Sequence, residues 1–303
     1  ETEAWPTVVF RCKEIGLPLF LVNARLSERS ARRVNRFGKA GRALFQAFAG
    51  ILAQTQFDAQ RYRSLGVENV QIVGNLKFDV ALDQALVKQG KQWQQDLHAD
   101  KRLMVCAAST RDGEEAIILK AWKDLLLSNA FTKPPLLCLV PRHPERFTEV
   151  AEQINSAGLK FRRRSEWSGI PSECAGLDAI LGDSMGEMPM YYGASDLVLM
   201  GGSLLPFGGQ NLIEACAAGC PVLLGEHTYN FQQAALDAIA AGTAKRIHGE
   251  LILGEPIALM EALKELLLNA AELAKMSAAA TAYSIEHQGA TNRILVALDQ
   301  QTT

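Results

Sequence analysis

Short apolar runs alternate with longer amphipathic stretches along most of the chain. Runs of four or five residues, rich in branched side chains, predict strands at 18–22, 51–54, 70–73, 103–106, 136–140, 178–181, 196–200 and 221–224. Helix-like segments follow at 114–128, 144–157, 211–218, 230–241 and 256–282. Buried strands that alternate with helices are typical of parallel sheets covered on both faces. We therefore expect an α/β fold built from Rossmann-like domains.

A polar stretch interrupts this pattern. Residues 79–100, DVALDQALVKQGKQWQQDLHAD, are only weakly periodic, and they favour a domain boundary. We expect one α/β domain over residues 1–82, a second, complete Rossmann-like domain over 83–285, and a last helix over 286–303 that packs toward the first domain. The chain opens at Glu1 without an initiator methionine and soon runs from a helix into a strand. This start predicts that the N-terminal domain is partial.

Composition adds few constraints. The 303 residues are 48% hydrophobic and 21% charged, with a net charge of -2, as expected for a globular protein with no nucleic-acid partner. The six cysteines form no CxxC pair and are interpreted as buried thiols in a reducing compartment. No signal peptide or apolar run long enough to span a bilayer is visible.

The candidate chemistry lies where the strands of the second domain end. The stretch GGSLLPFGGQNLIEA, residues 201–215, follows one strand, and AASTRDGEEA, PRHPERF and GDSMGEM follow three others. Ligands of open parallel sheets bind at the carboxyl ends of the strands, so these loops predict a pocket for a polar, phosphorylated ligand. We expect Gly201, Gly202, Gly208 and Gly209 to let the backbone approach a nucleotide and its sugar.

Each loop also allows a purely structural interpretation. Ser109 and Thr110 could cap a helix with an acidic first turn, or their hydroxyls could contact a phosphate. Asn211 and Glu214 have the spacing of a capping box, although a carboxylate at this place could also bind a ribose diol. The side chain of Arg142, held between two prolines, could be a surface charge or a contact to a base or phosphate.

A second basic feature lies near the N-terminus. Residues 25–42, RLSERSARRVNRFGKAGR, contain seven Lys or Arg residues and one acid, Glu28. A solvated helical face explains this composition, and so does contact with a phosphorylated lipid or an anionic membrane surface.

The motifs in combination resemble one family, the bacterial 3-deoxy-D-manno-octulosonic acid (Kdo) transferases of lipopolysaccharide synthesis. The similar stretches are ETEAWP (1–6), NARLSERSARR (23–33), GNLKFD (74–79), PRHPERF (141–147), GDSMGEMPMYYGASD (182–196), GGSLLPFGGQNLIEA (201–215) and GEHTYNF (225–231). Each motif alone is weak. Together they cover the chain in the family's order.

The resemblance implies a GT-B fold and an inverting transfer of Kdo from CMP-Kdo to a lipid A precursor, with release of CMP. No cofactor and no metal are expected, which agrees with the lack of a DxD-type cluster around Asp183. The donor-binding residues implied are Lys77, Ser109, Thr110, Pro141, Arg142, His143, Met185, Gly186, Glu187, Gly202, Ser203, Asn211 and Glu214. Contacts to the acceptor or the membrane are implied for Arg25, Arg29, Arg32 and Arg33.

The resemblance also implies a partial N-terminal domain on the acceptor side. The general base is then expected N-terminal to this chain, which would bind the donor without turning it over. The implied location is the cytoplasmic face of the bacterial inner membrane. Two other functions stay open, a UDP-sugar-dependent GT-B enzyme and a non-catalytic nucleotide-binding module.

Overall fold

The computed structural model describes residues 4–79, 81–166, 174–247 and 256–302. The chain forms two compact units, with residues 1–80 and 286–303 in unit 1 and residues 81–285 in unit 2. The first three residues of the ETEAWP motif lie outside the described residues.

Unit 1 is built on a three-stranded parallel sheet in the order β1-β2-β3. Its strands are β1 (Phe20–Ala24), β2 (Gly50–Ala53) and β3 (Val70–Ile72). Its first four helices are α1 (Pro6–Glu14), α2 (Glu28–Arg36), α3 (Gly38–Gln46) and α4 (Gln56–Ser64), and a 3-10 turn spans Leu76–Phe78. One core fills the side of the sheet that faces these helices, with Ile51 and Leu65 fully buried.

The last helix of the chain covers the other face of the unit 1 sheet. Helices α5 (Gln84–Ala99) to α12 belong mainly to unit 2, and α13 (Ala290–Thr302) returns to unit 1. Ile294 and Ala297 of α13 pack on Leu52 and Val73 in a separate small core. A chain segment more than 200 residues away in sequence thus completes the second apolar layer of this sheet.

Asp79 connects α13 to the GNLKFD motif. Its Oδ1 accepts the backbone N–H of Gly289 at 2.6 Å and of Ala290 at 3.2 Å, and its Oδ2 accepts that of Thr291. The first N–H groups of a helix have no partner within the helix, so this carboxylate caps α13 from outside. Burial raises the pKa of Asp79, but the bonds from Thr291, Gly289 and Ala290 outweigh it and lower the pKa below its ordinary value.

Unit 2 contains a seven-stranded, entirely parallel sheet in the order β10-β9-β8-β4-β5-β7-β6. The strands are β4 (Met104–Thr110), β5 (Leu136–Pro141), β6 (Phe161–Arg163), β7 (Ala179–Leu181), β8 (Leu197–Met200), β9 (Val222–Leu224) and β10 (Ala244–Arg246). The helices are α6 (Glu114–Leu127), α7 (Phe147–Ser156), α8 (Met188–Ala194), α9 (Ile213–Ala217), α10 (Gln232–Ala240), α11 (Ile257–Leu268) and α12 (Ala270–His287), with 3-10 turns at Pro144–Arg146 and Arg164–Glu166.

The two edge strands of this sheet are absent from the sequence-based prediction. β6 reads FRR and β10 reads AKR, and each is only three residues long. An edge strand is covered less than a central one, and charged side chains there protect it from pairing with other chains. Neither strand therefore shows the continuous apolar run that identifies the central strands β4, β5 and β8.

Helix α5 occupies most of residues 79–100, the weakly periodic stretch at which the sequence favours a domain boundary. The two units divide between residues 80 and 81, at the start of this stretch. Asp83 caps this helix, accepting the N–H of Ala85 at 2.9 Å. The helix packs on α8 through glycine, and a Cβ added at Gly90 would lie 2.1 Å from the Met190 carbonyl oxygen. Contact between backbones needs no broad apolar stripe, which explains the weak periodicity.

The predicted single helix over 256–282 is two helices. Asn269 leaves the helical conformation with φ -109° and ψ 77°, and it ends α11. Its Oδ1 accepts the N–H of Glu272 at 3.0 Å, so the same residue caps the start of α12. Asparagine is favoured at such boundaries because its short side chain bonds nearby backbone groups.

We predict that Asp79→Ala loosens α13. Loss of a cap costs about 0.5–2 kcal/mol, and amide hydrogen exchange over residues 289–300, followed by mass spectrometry, should accelerate. Because the folded-state pKa of Asp79 is depressed, its stabilisation is complete above the unfolded value and declines as pH falls through the folded one. The difference in α13 stability between wild type and Asp79→Ala should thus stay constant from pH 7 to about pH 4. Asp83→Ala removes the cap of α5 instead, and should leave exchange in α13 unchanged. Equal exchange in wild type and Asp79→Ala would contradict the role of Asp79.

Candidate functional site

The loops that follow the strands of unit 2 share one edge of its sheet. They comprise residues 111–113 after β4, 142–143 after β5, 182–187 after β7, 201–212 after β8 and 225–231 after β9. We call these loops the rim and residues 201–212 the glycine loop. Since β4 lies between β8 and β5, its loop lies between the glycine loop and the PRHPERF loop.

Glu114 organises the centre of the rim. Its side chain is fully buried, and Oε2 accepts the backbone N–H of Arg111 at 2.9 Å and of Gly202 at 2.6 Å. Its Oε1 accepts the N–H of Leu204 at 2.9 Å, and the Leu205 amide also bonds the carboxylate. One carboxylate thus joins the loop after β4 to the glycine loop. Burial raises the pKa of Glu114 above its ordinary value, and the four backbone N–H groups oppose that rise.

The neighbouring Glu115 holds the loop on the other side. Its Oε1 accepts the Thr110 hydroxyl at 2.7 Å and the Arg146 Nη1 at 2.6 Å. Arg146 also bonds Asp112 at 3.3 Å and Glu149 at 3.2 Å. The sequence places both glutamates in the acidic first turn of a helix, but it gives no sign that they are buried.

The loop glycines pack against the protein itself. A Cβ added at Gly201 would lie 2.3 Å from the Ser109 carbonyl oxygen, and one at Gly208 2.4 Å from Asn230 Nδ2. Gly202 and Gly209 have φ of 67° and 79°, which side chains rarely allow. These contacts and φ values give the four glycines a structural role in the loop, and their contact with a nucleotide stays a prediction. At Gly186, by contrast, an added Cβ would meet no atom within 4 Å.

The predicted hydroxyl contacts divide into two groups. Thr110 and Ser203 are buried, and their hydroxyls bond protein groups, Thr110 to Glu115 and Ser203 to Met200 and the Gly225 amide. In this structure both residues shape the rim and turn no hydroxyl outward. Ser109 is half-buried, with a positive φ of 56° at the irregular end of β4.

The PRHPERF loop contributes an exposed cation. Pro141 ends β5, and the N–H of Arg142 donates to the Thr110 carbonyl at 3.0 Å. Among the described residues, the Arg142 side chain has no hydrogen-bond or ion-pair partner, and it is exposed. His143 Nε2 lies 3.1 Å from Nη1 of Arg111. The sequence interpretation named Arg142 and His143 but missed Arg111.

The loop after β7 presents Met185, whose side chain is 68% exposed, next to the open space at Gly186. Glu187 has a different surrounding, since its carboxylate bonds Arg164 at 2.7 Å, Tyr191 at 3.3 Å and the Ser184 hydroxyl. These bonds fix the turn, so the predicted ligand contact of Glu187 has to compete with them.

Asn211 and Glu214 do not form the reciprocal capping box. Asn211 Oδ1 accepts the N–H of Ile213 at 3.1 Å, and its Nδ2 donates to Glu214 Oε1 at 3.0 Å. The amide therefore orients the half-buried carboxylate, while the helix begins at Ile213 with no side-chain cap at Leu212. This arrangement leaves Glu214 Oε2 with no hydrogen bond to the described part of the chain.

The remaining predicted residues lie in unit 1. Lys77 is exposed on the 3-10 turn at Leu76–Phe78. Arg25 is exposed after β1, and α2 carries Arg29, Arg32, Arg33 and, in addition, Arg36 at spacings of three and four residues, on one helical face. Glu28 forms an ion pair with Arg32. The other three arginines of this face have no ion pair within the described ranges.

The chain is similar to known proteins. Residues 1–80 match the family model of 3-deoxy-D-manno-octulosonic-acid transferase. The 3-deoxy-D-manno-octulosonic acid transferase of Bordetella pertussis is 44% identical over 302 residues, which are 99% of this chain and 67% of that protein.

Solved structures agree with the α/β fold of the GT-B type. The C-terminal CMP-Kdo binding domain of WaaA from Acinetobacter baumannii aligns with a TM-score of 0.55 and 30% identity, covering 65% of this chain and 96% of that one. Anabaena HepE in complex with UDP aligns with a TM-score of 0.53 over 98% of this chain and 75% of that one. At 15% identity, it supports the fold alone.

The described residues include no helix long and apolar enough to cross a membrane. The family model covers residues 1–80 of unit 1, and the match to the relative from Bordetella pertussis spans both units. The chain therefore belongs to the 3-deoxy-D-manno-octulosonic acid (Kdo) transferases, and it is a Kdo glycosyltransferase.

Proposed function

We propose that the rim of unit 2 binds CMP-Kdo and that the enzyme transfers Kdo to a lipid A precursor. The observation that carries the donor assignment is the exposed Arg142, which lies on the loop next to the open turn at Gly186 and at the same edge of the sheet as the glycine loop. The Acinetobacter baumannii domain, described as binding CMP-Kdo, aligns with this chain at 30% identity and supports the same ligand here.

The contacts follow the order of the loops. Pro141, Arg142 and His143 contact the cytidine end, and Met185 and Gly186 line the same side. Asn211 and Glu214 bind sugar hydroxyls, since the amide of Asn211 fixes Glu214 and leaves one of its carboxylate oxygens available. Ser109 and the backbone at Gly202 lie between the residues assigned to the cytidine end and those assigned to the sugar hydroxyls. A donor contact of Lys77, which the family resemblance implies, stays a prediction.

Three predicted donor residues act through position rather than contact. Thr110, Ser203 and Glu187 each bond protein groups, and the loops that they hold carry the contacting side chains. Their substitution should disturb the pocket by moving these loops.

The transfer is inverting. An acceptor hydroxyl attacks the anomeric carbon of Kdo and gives its proton to a base, while the bond from that carbon to the phosphate oxygen breaks and CMP leaves. Negative charge develops on the phosphate, and cationic side chains of the rim stabilise it. No metal takes part in this proposal. The described residues contain no cluster of three His, Cys, Asp or Glu side chains suited to a metal.

The base is not expected among the glutamates that hold the central loops. Glu114 and Glu115 are buried and bonded, Glu187 is paired with Arg164, and Glu214 is assigned to the sugar hydroxyls of the donor. A general base contributes about 10²–10⁴-fold to the rate. We therefore propose that unit 2 alone binds the donor without transferring Kdo, and that this chain lacks full turnover unless a carboxylate outside the rim supplies the base.

The arginine face of α2 is proposed to contact the phosphates of the lipid acceptor or an anionic membrane. Each basic residue near an anionic surface contributes about 1 kcal/mol. The exposed ring of Phe37, 68% accessible at the end of α2, adds an apolar contact beside these charges. The location that follows is the cytoplasmic face of the bacterial inner membrane.

The first prediction is that CMP binds this chain and UMP and UDP do not, as measured by calorimetry. Arg142→Ala should weaken CMP binding by about 1.5–3 kcal/mol, the range for a hydrogen bond to a charged group. Lys88→Gln on the exposed side of α5 removes an equal charge away from the rim and should change nothing. Preference for UDP would favour a UDP-sugar enzyme. CMP binding by a full-length enzyme that transfers nothing would favour a non-catalytic module.

The second prediction concerns Glu114. Glu114→Gln turns an NH₂ group toward backbone N–H donors, so it should both lower the melting temperature and weaken CMP binding at least about 10-fold. Because the folded-state pKa of Glu114 is raised, protonation of this carboxyl favours the folded state, so the difference in melting temperature between wild type and Glu114→Gln should widen as the pH falls through the folded-state value. Unchanged CMP affinity in the Gln variant would show that the glycine loop holds its shape without this carboxylate.

The third prediction tests the arginine face. The triple variant Arg29→Gln, Arg33→Gln and Arg36→Gln should bind phosphatidylglycerol vesicles about 100-fold more weakly than wild type in a sedimentation assay, as expected for three charges. A control that replaces Lys88, Lys120 and Lys123 of unit 2 with Gln should bind like wild type. If wild type binds neutral phosphatidylcholine vesicles as well as anionic ones, the proposed electrostatic contact is wrong.

A further inference from the structure

Arg111 is the cation on which three loops of the rim converge. It follows β4, and its Nη1 lies 3.1 Å from His143 Nε2 on the loop after β5. On the opposite side, its guanidinium lies over the ring of Phe207 in the glycine loop, 5.0 Å from the centroid. Its backbone N–H donates to Glu114, so main chain and side chain are both held.

The charge of Arg111 is not neutralised within the described part of the chain. Three other arginines near the rim have carboxylate partners, Arg146 in Glu115, Arg164 in Glu187 and Arg163 in Asp183, whereas Arg142 shares with Arg111 the lack of one within the described residues. Arg111 contacts Nε2 of His143 and the ring face of Phe207. A guanidinium has five N–H donors, and the contact with His143 uses one of them.

This arrangement is suited to an anion. Packing on Phe207 and the bond to His143 restrict the rotamers of Arg111 before a ligand binds, so less conformational entropy is lost on binding. A planar guanidinium matches the oxygen atoms of a phosphate or carboxylate in a bidentate geometry. The position among the loops then decides which anion is bound.

We propose that Arg111 binds the phosphate that links the nucleoside to Kdo, and that His143 and Phe207 position it. The inference rests on the proposed donor function. β4 lies between β5, whose loop is assigned to the cytidine end, and β8, whose loop is assigned to sugar hydroxyls. The phosphate is the middle group of CMP-Kdo, so the loop of the middle strand is next to it. This is the group on which negative charge develops as CMP leaves.

The experiment compares CMP with cytidine, which differ by the phosphate alone. Arg111→Gln should weaken CMP binding about 10- to 100-fold and leave cytidine binding, followed by ligand-observed NMR, within about 2-fold. Arg111→Lys should retain part of the CMP affinity because the charge remains. Lys88→Gln, which removes a distant charge, should bind both compounds like wild type.

Other outcomes overturn the inference in distinguishable ways. A similar loss for CMP and cytidine in Arg111→Gln would mean that the residue only orders the loops. If wild type binds CMP and Arg111→Gln binds it equally well, then Arg111 does not contact the phosphate. The proposed donor function would be unaffected by that result. A wild type that does not bind CMP would remove the donor function and this inference together. If Arg111→Gln leaves the binding of CMP and cytidine unchanged but weakens the binding of free Kdo, then Arg111 binds the Kdo carboxylate and not the phosphate.

Discussion

The bond between the Glu114 carboxylate and the backbone of the glycine loop is the interaction on which the rim depends. A buried carboxylate is costly unless hydrogen bonds compensate for lost hydration. Here the backbone amides of two loops supply that compensation, and each of these loops is thereby fixed to the start of α6. Without the carboxylate, the amides would themselves be buried without partners. The conformation of the two loops and the burial of the Glu114 carboxylate thus depend on each other.

Glu115 extends the same principle to the other side. Consecutive residues of a helix point about 100° apart, so two adjacent glutamates can reach different neighbours. Glu114 reaches the glycine loop after β8, and Glu115 reaches Arg146 after β5. Because β8 and β5 both flank β4, one helical turn ties together the three central loops of the sheet. The donor-side residues Arg142 and Asn211 lie on the two loops held in this way.

The sequence predicted the centre of the fold better than its margins. Central strands such as β5 are buried on both faces and read as apolar runs, whereas β6 and β10 carry charges at the sheet edges. Helix α5 was missed because glycine contact replaces an apolar stripe, and Asn269 divides a segment that hydropathy reads as one helix. Such features depend on neighbours distant in sequence.

For the candidate site, position was predictable and role was not. Strand ends and glycines located the loops, yet a serine or glutamate next to a helix start looks the same whether it faces solvent or backbone. Ser203 and Glu114 are examples, since only the packing shows that their polar atoms bond the main chain. The sequence does not distinguish Arg111 as a site residue, because an arginine in a turn is usually a surface charge.

The distribution of paired and unpaired charges explains what the rim can do. The carboxylates of Glu114 and Glu115 are buried and bond protein groups, so they are poorly placed to accept a proton from an incoming hydroxyl. Arg111 and Arg142 have no carboxylate partner within the described residues, so the rim retains positive charge beside a rigid loop. Such a surface favours the binding of an anionic ligand. It also stabilises the further negative charge that develops on a leaving group. We therefore propose that the rim of unit 2 binds and stabilises a phosphate, and that another group accepts the proton.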